Sequence, residues 1–71
     1  MKLSATKYQP GEVIKIIREW TELTQSEFAK SVNISESTIK NYEQNRRNYT
    51  FKTLVEICKL HDLEITIEKK K

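Results

Sequence analysis

The segment from Thr24 to Gln44 restricts the fold of this chain more than any other part of its sequence. Its pattern predicts two short helices joined by a tight turn. Such a corner needs a small side chain where the helices cross and a turn residue that tolerates a left-handed backbone. Ala29 meets the first need and Asn33 the second. The apolar positions that face a shared core are Phe28, Val32, Ile34, Ile39 and Tyr42. We therefore expect the second helix of the corner to project outward with one face free.

Capping residues predict where the helices of this corner begin. Thr24 and Glu27 fit a capping box, in which each side chain accepts a hydrogen bond from the backbone of the other residue. The second helix of the chain therefore runs from this box to about Val32. Ser35 is a favourable N-cap, so the third helix spans about residues 36–44.

Two further helices flank the corner. Pro10 suits the first turn of a helix, where its missing N–H is harmless, and the first helix runs from there to about Trp20 or Thr21. Thr50 caps a fourth helix over about residues 51–61. Both helices carry apolar residues at helical spacing, and the apolar stripe on the first helix is wider than a small surface helix needs. These residues are Val13, Ile14, Ile16, Ile17 and Trp20 in the first helix, and Phe51, Leu54, Val55, Ile57, Cys58 and Leu60 in the fourth.

Residues 63–68 alternate between apolar and polar side chains, which predicts a short β-strand. A strand cannot satisfy its own backbone hydrogen bonds, and the sequence offers no second strand. We therefore expect two copies of the chain to pair antiparallel across a two-fold axis through Ile65 and Ile67. The alternative is that these two isoleucines fold back on their own domain or fray.

The composition excludes several classes of protein. With 71 residues the chain has room for one domain, and a core this small gains from dimerisation. No apolar run approaches the roughly 18 residues that cross a membrane. Cys58 alone cannot form a disulfide framework, so we expect a cytoplasmic protein. The sequence has no Cys/His cluster, glycine-rich phosphate loop or nucleophile–base pair, and we expect no enzyme activity, no metal and no cofactor.

Positive charge is concentrated beside the corner. The net charge of +3 is a mild indication of a polyanionic partner. Between residues 40 and 52 the chain has four cations against the single anion Glu43. The cations are Lys40, Arg46, Arg47 and Lys52. An ordinary solvated surface carries such an excess too, but its position beside the corner favours contact with phosphates.

Residues 25–44 resemble the helix-turn-helix of the lambdoid phage repressor and Cro family, also called the Xre family. Thr24 and Gln25 match the start of the family's second helix, and the core and turn positions named above match in spacing. The chain departs from the family at Asn33, where glycine is usual, and at Tyr42, where many members have leucine. Both residues keep the geometry, because asparagine is the next best turn residue and tyrosine can bury its ring.

The resemblance, which covers about residues 12–62, implies the fold class and the domain organisation. It implies an all-α, compact, lambda-repressor-like domain of four to five helices, to which the pattern adds the short C-terminal β-strand that pairs across a dimer. Residues 1–9 are then a flexible N-terminal arm, residues 10–62 the helix-turn-helix DNA-binding domain, and residues 63–71 the strand and a basic tail.

The exposed face of the third helix is where such a domain reads DNA sequence. With Ile39 and Tyr42 inward, the helical period turns five polar residues outward: Glu36, Ser37, Lys40, Asn41 and Gln44. The resemblance implies base contacts by Glu36, Ser37, Lys40 and Asn41. Their chemistry suits this role, because lysine donates to guanine, asparagine pairs with adenine and glutamate accepts from cytosine. The alternative is a polar face that contacts only solvent.

The resemblance also assigns residues to the DNA backbone and to the frame of the domain. The phosphate contacts that we expect are Gln25, Gln44, Arg46, Arg47 and Asn48. The alternative for the loop after the third helix is an ordinary charged loop. A structural ion pair between Arg18 and Glu43 is expected to lock the first helix to the third.

These implications predict a sequence-specific regulator of transcription that binds double-stranded DNA. We expect a repressor that inserts helix 36–44 into the major groove and binds a palindromic operator as a homodimer. The alternative is an antitoxin that binds a partner protein, its toxin, and represses its own operon. A phage regulator, a restriction–modification controller and an antitoxin are the settings left open. We expect no membrane partner, because a short lysine tail without an amphipathic basic helix binds membranes weakly.

Overall fold

The computed structural model describes residues 2–70, in which the regular elements are four α-helices and one 3-10 turn. The all-α prediction is confirmed. Each of the last three helices ends one residue earlier than the sequence predicted, on the residue before its C-cap. The 3-10 turn is Ala5–Lys7, and the helices are α1 (Pro10–Thr21), α2 (Gln25–Ser31), α3 (Glu36–Glu43) and α4 (Phe51–Leu60).

Polar caps begin the helices of the corner, as predicted. The Thr24 N–H donates to Glu27 Oε1 at 2.9 Å, and the Glu27 N–H donates to Thr24 Oγ1 at 3.1 Å. The hydrogen bond from the Thr24 backbone favours the ionised carboxylate and so lowers the pKa of Glu27. Ser35 and Thr50 cap α3 and α4 through their hydroxyl groups.

The start of α1 holds a capping box that the sequence analysis missed. Pro10 lies in the first turn, as predicted. The residue before it, Gln9, is the N-cap, and its N–H donates to Glu12 Oε1 at 3.0 Å while its own side chain caps the helix in return. Glutamine is not one of the preferred N-cap residues, and the sequence pattern therefore did not reveal it.

Each of the four helices is followed, within two residues of its end, by a residue with a left-handed backbone, and none of these residues is glycine. The φ angles are 61° at Glu22, 58° at Asn33, 59° at Asn45 and 57° at Asp62. The prediction for Asn33 is thus confirmed. After α2, α3 and α4 the backbone closes with the paired hydrogen bonds of a Schellman motif, which satisfy the last carbonyl groups of each helix.

The core lies between α1 and the corner and agrees with the predicted apolar set. Phe28 and Ile39 are fully buried, and Ala29 is only 2% exposed, so α2 and α3 can cross closely. The buried members of the core are Val13, Ile14, Ile17, Phe28, Ala29, Val32, Ile39, Tyr42, Ile57 and Cys58. Burial also raises the pKa of the Cys58 thiol, which makes this residue a neutral part of the core.

Helix α4 faces the core with only part of its apolar surface. Ile57 and Cys58 are buried, whereas Phe51 is 63% and Leu60 is 62% exposed. The apolar positions of α4 surround more of the helix than one neighbouring layer can cover. Part of the apolar set of α4, including Phe51 and Leu60, is therefore left uncovered in the single chain.

Residues 63–70 have no regular secondary structure in the single chain. Leu63 packs against the core, but Ile67 is 88% exposed. The predicted strand is not formed because no second strand lies within reach, and its formation across a dimer stays a prediction. In the predicted arm Leu3 packs against the core. Met1 and Lys71, the ends of the predicted arm and tail, lie outside the described residues.

Candidate nucleic-acid interface

The turn between α2 and α3 fixes the direction of α3. The Asn33 N–H donates to the carbonyl oxygen of Lys30 at 3.3 Å, and the Ile34 N–H donates to that of Ala29 at 3.0 Å. These two hydrogen bonds form the turn between α2 and α3 within a few residues. Ile34 then packs on the edge of the core, and Ser35 starts α3 at once. The corner is therefore set by short-range hydrogen bonds, and α3 leaves it with its polar face outward.

The outward face of α3 carries the residues predicted to contact bases. Glu36, Ser37 and Lys40 are exposed, and Asn41, one position further round the helix, is half-buried. Lys40 Nζ lies 3.7 Å from Glu36 Oε2, and both side chains are about half exposed, at 52% and 46%. An exposed ion pair at this spacing contributes little free energy. Lys40 and Glu36 can therefore separate and bind the edges of bases instead, with only a small loss of stability.

Arg18 ties α1 to the last residue of α3. Its Nε donates to Glu43 Oε2 at 2.7 Å and its Nη2 to Glu43 Oε1 at 3.0 Å, a two-pronged pair. A third donor, Nη1, reaches the carbonyl oxygen of Leu23 at 3.2 Å. The hydrogen bonds that Arg18 donates to Glu43 raise the pKa of Arg18, and the Glu43 side chain is only 5% exposed. The end of α3 is thus fixed against α1 by a desolvated charge pair.

Gln25, predicted to contact a phosphate, is engaged with the same carboxylate. Its Nε2 donates to Glu43 Oε1 at 3.2 Å, and the residue is half-buried. One of the two amide hydrogens is used in this bond, and the other is available to an acceptor. The hydrogen bond to Glu43 therefore orients the Gln25 amide, and its contact with a phosphate stays a prediction.

The loop that follows α3 presents the remaining predicted phosphate contacts. Gln44, Arg46, Arg47 and Asn48 are all exposed. The backbone N–H groups of Arg46 and Arg47 both donate to the carbonyl oxygen of Asn41, at 2.9 and 3.3 Å. Arg46 and Arg47 thus belong to a folded turn whose backbone is hydrogen-bonded to α3, and their side chains are exposed.

Two residues that were not predicted from the sequence, Asn45 and Tyr49, fasten this loop to α1. The Gly11 N–H donates to Asn45 Oδ1 at 2.8 Å, and the Tyr49 hydroxyl donates to the carbonyl oxygen of Pro10 at 2.7 Å. One signal was available, because Asn45 follows the third helix just as Asn33 follows the second. Neither the hydrogen bond of its side chain nor that of Tyr49 has a signature in the local sequence.

A second surface, the α4 face, consists of the outer side of α4 and the C-terminal segment. It is apolar where the α3 side is polar. Phe51 and Ile67 are mostly exposed, Ile65 is 37% exposed, and together with Val55 and Leu63 they line one open groove. The residues predicted to form the dimer, Ile65 and Ile67, therefore lie beside exposed apolar residues of α4.

Other kinds of site find no support in residues 2–70. Within this range no group of three or more His, Cys, Asp or Glu residues is arranged to hold a metal ion. His61 stacks on Phe28 with ring centroids 5.2 Å apart, and its Nε2 lies 2.9 Å from Ser31 Oγ. The Ser31 hydroxyl donates to the carbonyl oxygen of Phe28, so it accepts a hydrogen bond from His61. None of the described helices combines the length and the apolar character that crossing a membrane requires.

Comparison with known proteins identifies relatives across most of the chain. The helix-turn-helix family model matches residues 14–67. Antitoxin HipB of Escherichia coli strain K12 is 36% identical over 59 residues, which cover 83% of this chain and 67% of the relative. HipB of Escherichia coli O6:H1 is 34% identical over 59 residues, 83% of this chain and 63% of that protein. The chain thus spans about two thirds of the length of these relatives.

Solved structures extend the likeness to the whole fold. A chain from a HipA-HipB-O2-O3 complex has 32% sequence identity and a TM-score of 0.67, and the match covers 100% of this chain and 99% of that chain. A chain from a HipB-O1-O2 complex has 32% identity and a TM-score of 0.65, with coverage of 97% and 99%. On the strength of the matched segment and of these relatives, the chain belongs to the helix-turn-helix family that includes antitoxin HipB.

Proposed function

We propose that this protein is a transcriptional regulator that binds operator DNA through α3 and represses by occupying the site. The single observation that carries the proposal is the polar outer face of α3, held outward by the Asn33 turn and the Arg18–Glu43 pair. A rigid helix with one free polar face fits the major groove of B-DNA. The family assignment supports the same function.

In this proposal the four base-contacting residues have distinct roles. Lys40 donates to the O6 and N7 atoms of guanine, and Asn41 pairs with the N6 and N7 atoms of adenine. Glu36 accepts from the N4 amino group of cytosine and disfavours bases that offer only acceptors. Ser37, which is small and exposed, contacts either kind of group.

Phosphate contacts set the position of the protein on the duplex. Arg46, Arg47 and Asn48 reach one backbone from the loop after α3, and Gln44 reaches it from the end of the helix. Gln25 contacts a phosphate at the start of α2, where the free N–H groups of the helix add to the attraction. These contacts supply affinity for any sequence and make binding depend on salt.

The functional unit in this proposal is a homodimer. Two chains bring their α4 faces together, and residues 63–68 of each chain pair antiparallel, which covers Ile65 and Ile67. A symmetric dimer then places two α3 helices roughly 34 Å apart, one turn of DNA, on a palindromic operator. The N-terminal arm, residues 1–9, flanks this unit, and residues 63–71 supply both the strand and the basic tail that follows it.

A second candidate function, the antitoxin, is favoured by the relatives. Both curated relatives are named antitoxin HipB, and one similar structure contains HipA as well as HipB. We propose that this chain likewise binds a partner protein, a toxin, and represses the operon that encodes both. The two functions are compatible because one dimer can present α3 to DNA and another surface to a protein. In this proposal the protein binds DNA and a partner protein, catalyses no reaction and acts in the cytoplasm.

Footprinting on the protein's own promoter region tests the proposal most directly. We expect one or more protected palindromes whose half-sites are one helical turn apart, and affinity that falls steeply as salt increases. Absence of binding to any duplex in dilute buffer would contradict the proposal. Co-purification with the product of the neighbouring gene tests the antitoxin candidate separately.

A further inference from the structure

The loop after α3 is fastened to the start of α1 at two points on either side of its exposed residues. Before them, Asn45 Oδ1 accepts the Gly11 N–H at 2.8 Å. After them, the Tyr49 hydroxyl donates to the carbonyl oxygen of Pro10 at 2.7 Å. Arg46, Arg47 and Asn48 lie between these two bonds. We call the pair of hydrogen bonds the loop clamp.

Gly11 shows how closely the two segments approach. A Cβ atom at this position would lie 2.8 Å from Asn45 Oδ1 and 2.8 Å from the carbonyl oxygen of Glu43, and closer still to that of Tyr42. Two of these three neighbours are backbone atoms, which cannot swing aside. The only glycine of the chain therefore lies where the end of α3 rests on the start of α1.

A comparison of the two asparagines that follow helices, Asn33 and Asn45, distinguishes the hydrogen bond of the clamp from the hydrogen bonds that form the turn itself. Asn33 and Asn45 have nearly the same φ, 58° and 59°, and each closes its helix with backbone hydrogen bonds of the same kind. At Asn33 the backbone N–H donates to the carbonyl oxygen of Lys30. At Asn45 the side chain makes a further bond, to a residue 34 positions away in sequence.

Tyr49 attaches the far end of the loop through two contacts. Its ring packs edge-on against Tyr42, with the centroids 5.4 Å apart. Burial raises the pKa of Tyr49, so its hydroxyl keeps the proton that it donates to Pro10. The end of the loop is thus held by both an aromatic contact and a hydrogen bond.

We propose that Asn45 and Tyr49 are positioning residues for DNA binding, which hold the Arg46–Asn48 segment in its binding geometry before DNA arrives. The inference rests on the proposed function, in which this segment contacts phosphates. A loop that is already ordered loses little conformational entropy on binding, so its cations contribute more of their attraction to affinity. Neither residue needs to touch DNA.

The test compares Asn45→Gly with its matched control, Asn33→Gly. Glycine suits the left-handed backbone at both positions, and only the variant at position 45 loses a side-chain hydrogen bond. We expect Asn45→Gly to weaken binding to all duplexes by about three- to tenfold, the usual worth of one hydrogen bond, while Asn33→Gly stays within about twofold of the parent. The salt slope of Asn45→Gly should also become shallower by about one phosphate contact.

A second variant, Tyr49→Phe, removes the other bond and keeps the aromatic ring against Tyr42. We expect a similar loss of affinity for all duplexes. Thermal unfolding should show that both variants remain fully folded at the temperature of the binding assay, and backbone relaxation by NMR should show increased motion of residues 46–48 in both. These readouts separate positioning of the loop from general destabilisation.

Two results would overturn the inference. If the parent binds DNA but Asn45→Gly and Tyr49→Phe bind with the parent's affinity and salt slope, the clamp does not position the loop. If the parent binds no duplex, the proposed function fails as well, and the clamp has nothing to position. The first result leaves the proposed function intact.

Discussion

The two sides of this molecule differ in how complete they are in a single chain. On the α3 side, the helix direction, the Arg18–Glu43 pair and the loop clamp are all in place, and among the described residues every buried polar side-chain atom has a hydrogen-bond partner. On the α4 face, large apolar residues such as Phe51 and Ile67 remain exposed. The comparison teaches that one chain is sufficient to shape the polar surface that we propose reads DNA, whereas the apolar α4 face stays uncovered in a single chain.

The largest effect is expected from removing the ion pair between Arg18 and Glu43, which fixes α3 against α1. Arg18→Met leaves the Glu43 carboxylate, which is 5% exposed, without its charged partner. We expect the free energy of unfolding to fall by about 3–5 kcal/mol, as for other buried pairs that lose one member. Urea denaturation measures this loss. Lys15→Met, at an exposed position of the same helix, is the control and should change stability little; equal stability of both variants would show that the pair does not fix α3.

The next effect tests the α4 face. Ile67→Glu places a charge on a residue that is already 88% exposed in the single chain, so the folded monomer should be unaffected. If two chains bury this residue, the dimerisation free energy should weaken by about 3 kcal/mol, since an isoleucine is lost from each copy. Sedimentation equilibrium measures the change.

Thr66→Glu is the matched control for this face, because adjacent residues of a strand point to opposite sides. It should leave dimerisation close to that of the parent. A parent that is monomeric at micromolar concentration, or an Ile67→Glu variant that dimerises equally well, would contradict the proposed dimer.

A smaller effect separates base contacts from phosphate contacts on the α3 side. Lys40→Ala should lose about 2 kcal/mol of discrimination at one base pair and change the preferred sequence. Arg46→Ala should instead weaken binding to all sequences about equally and reduce the salt slope by about one. Selection from random duplexes, followed by titration at several salt concentrations, measures both. If both variants bind the operator as tightly as the parent at matched salt, the assigned orientation of α3 is wrong.

The smallest expected effect is on stability alone and leaves both the α3 side and the α4 face unchanged. Glu22 ends α1 with a φ of 61°, a conformation that glycine adopts without strain. Glu22→Gly should therefore raise the free energy of unfolding by about 0.5 kcal/mol, with no change in DNA affinity or dimerisation. Glu19→Gly, in the interior of the same helix, should instead lower it by about 1 kcal/mol. Thermal denaturation compares the two, and a destabilised Glu22→Gly variant would contradict the strain at position 22.

Sequence reasoning succeeded where neighbouring residues decide the structure. The capping box of Thr24 and Glu27, the caps at Ser35 and Thr50 and the left-handed turn at Asn33 all depend on residues a few positions apart. It identified Phe51 and Leu60 as apolar but did not decide their exposure, because apolar spacing shows that a face is apolar and does not show what covers it.

The sequence by itself determined where the helices begin and turn, because caps and left-handed residues act through hydrogen bonds within one helical turn. Only the tertiary structure decided that Gly11 lies against Asn45 and that Gln25 shares Glu43 with Arg18, whose pairing with Glu43 the family resemblance had implied. These contacts join residues 34, 25 and 18 positions apart. They depend on how the helices pack, which the buried shapes of all the core residues set together and no local pattern specifies.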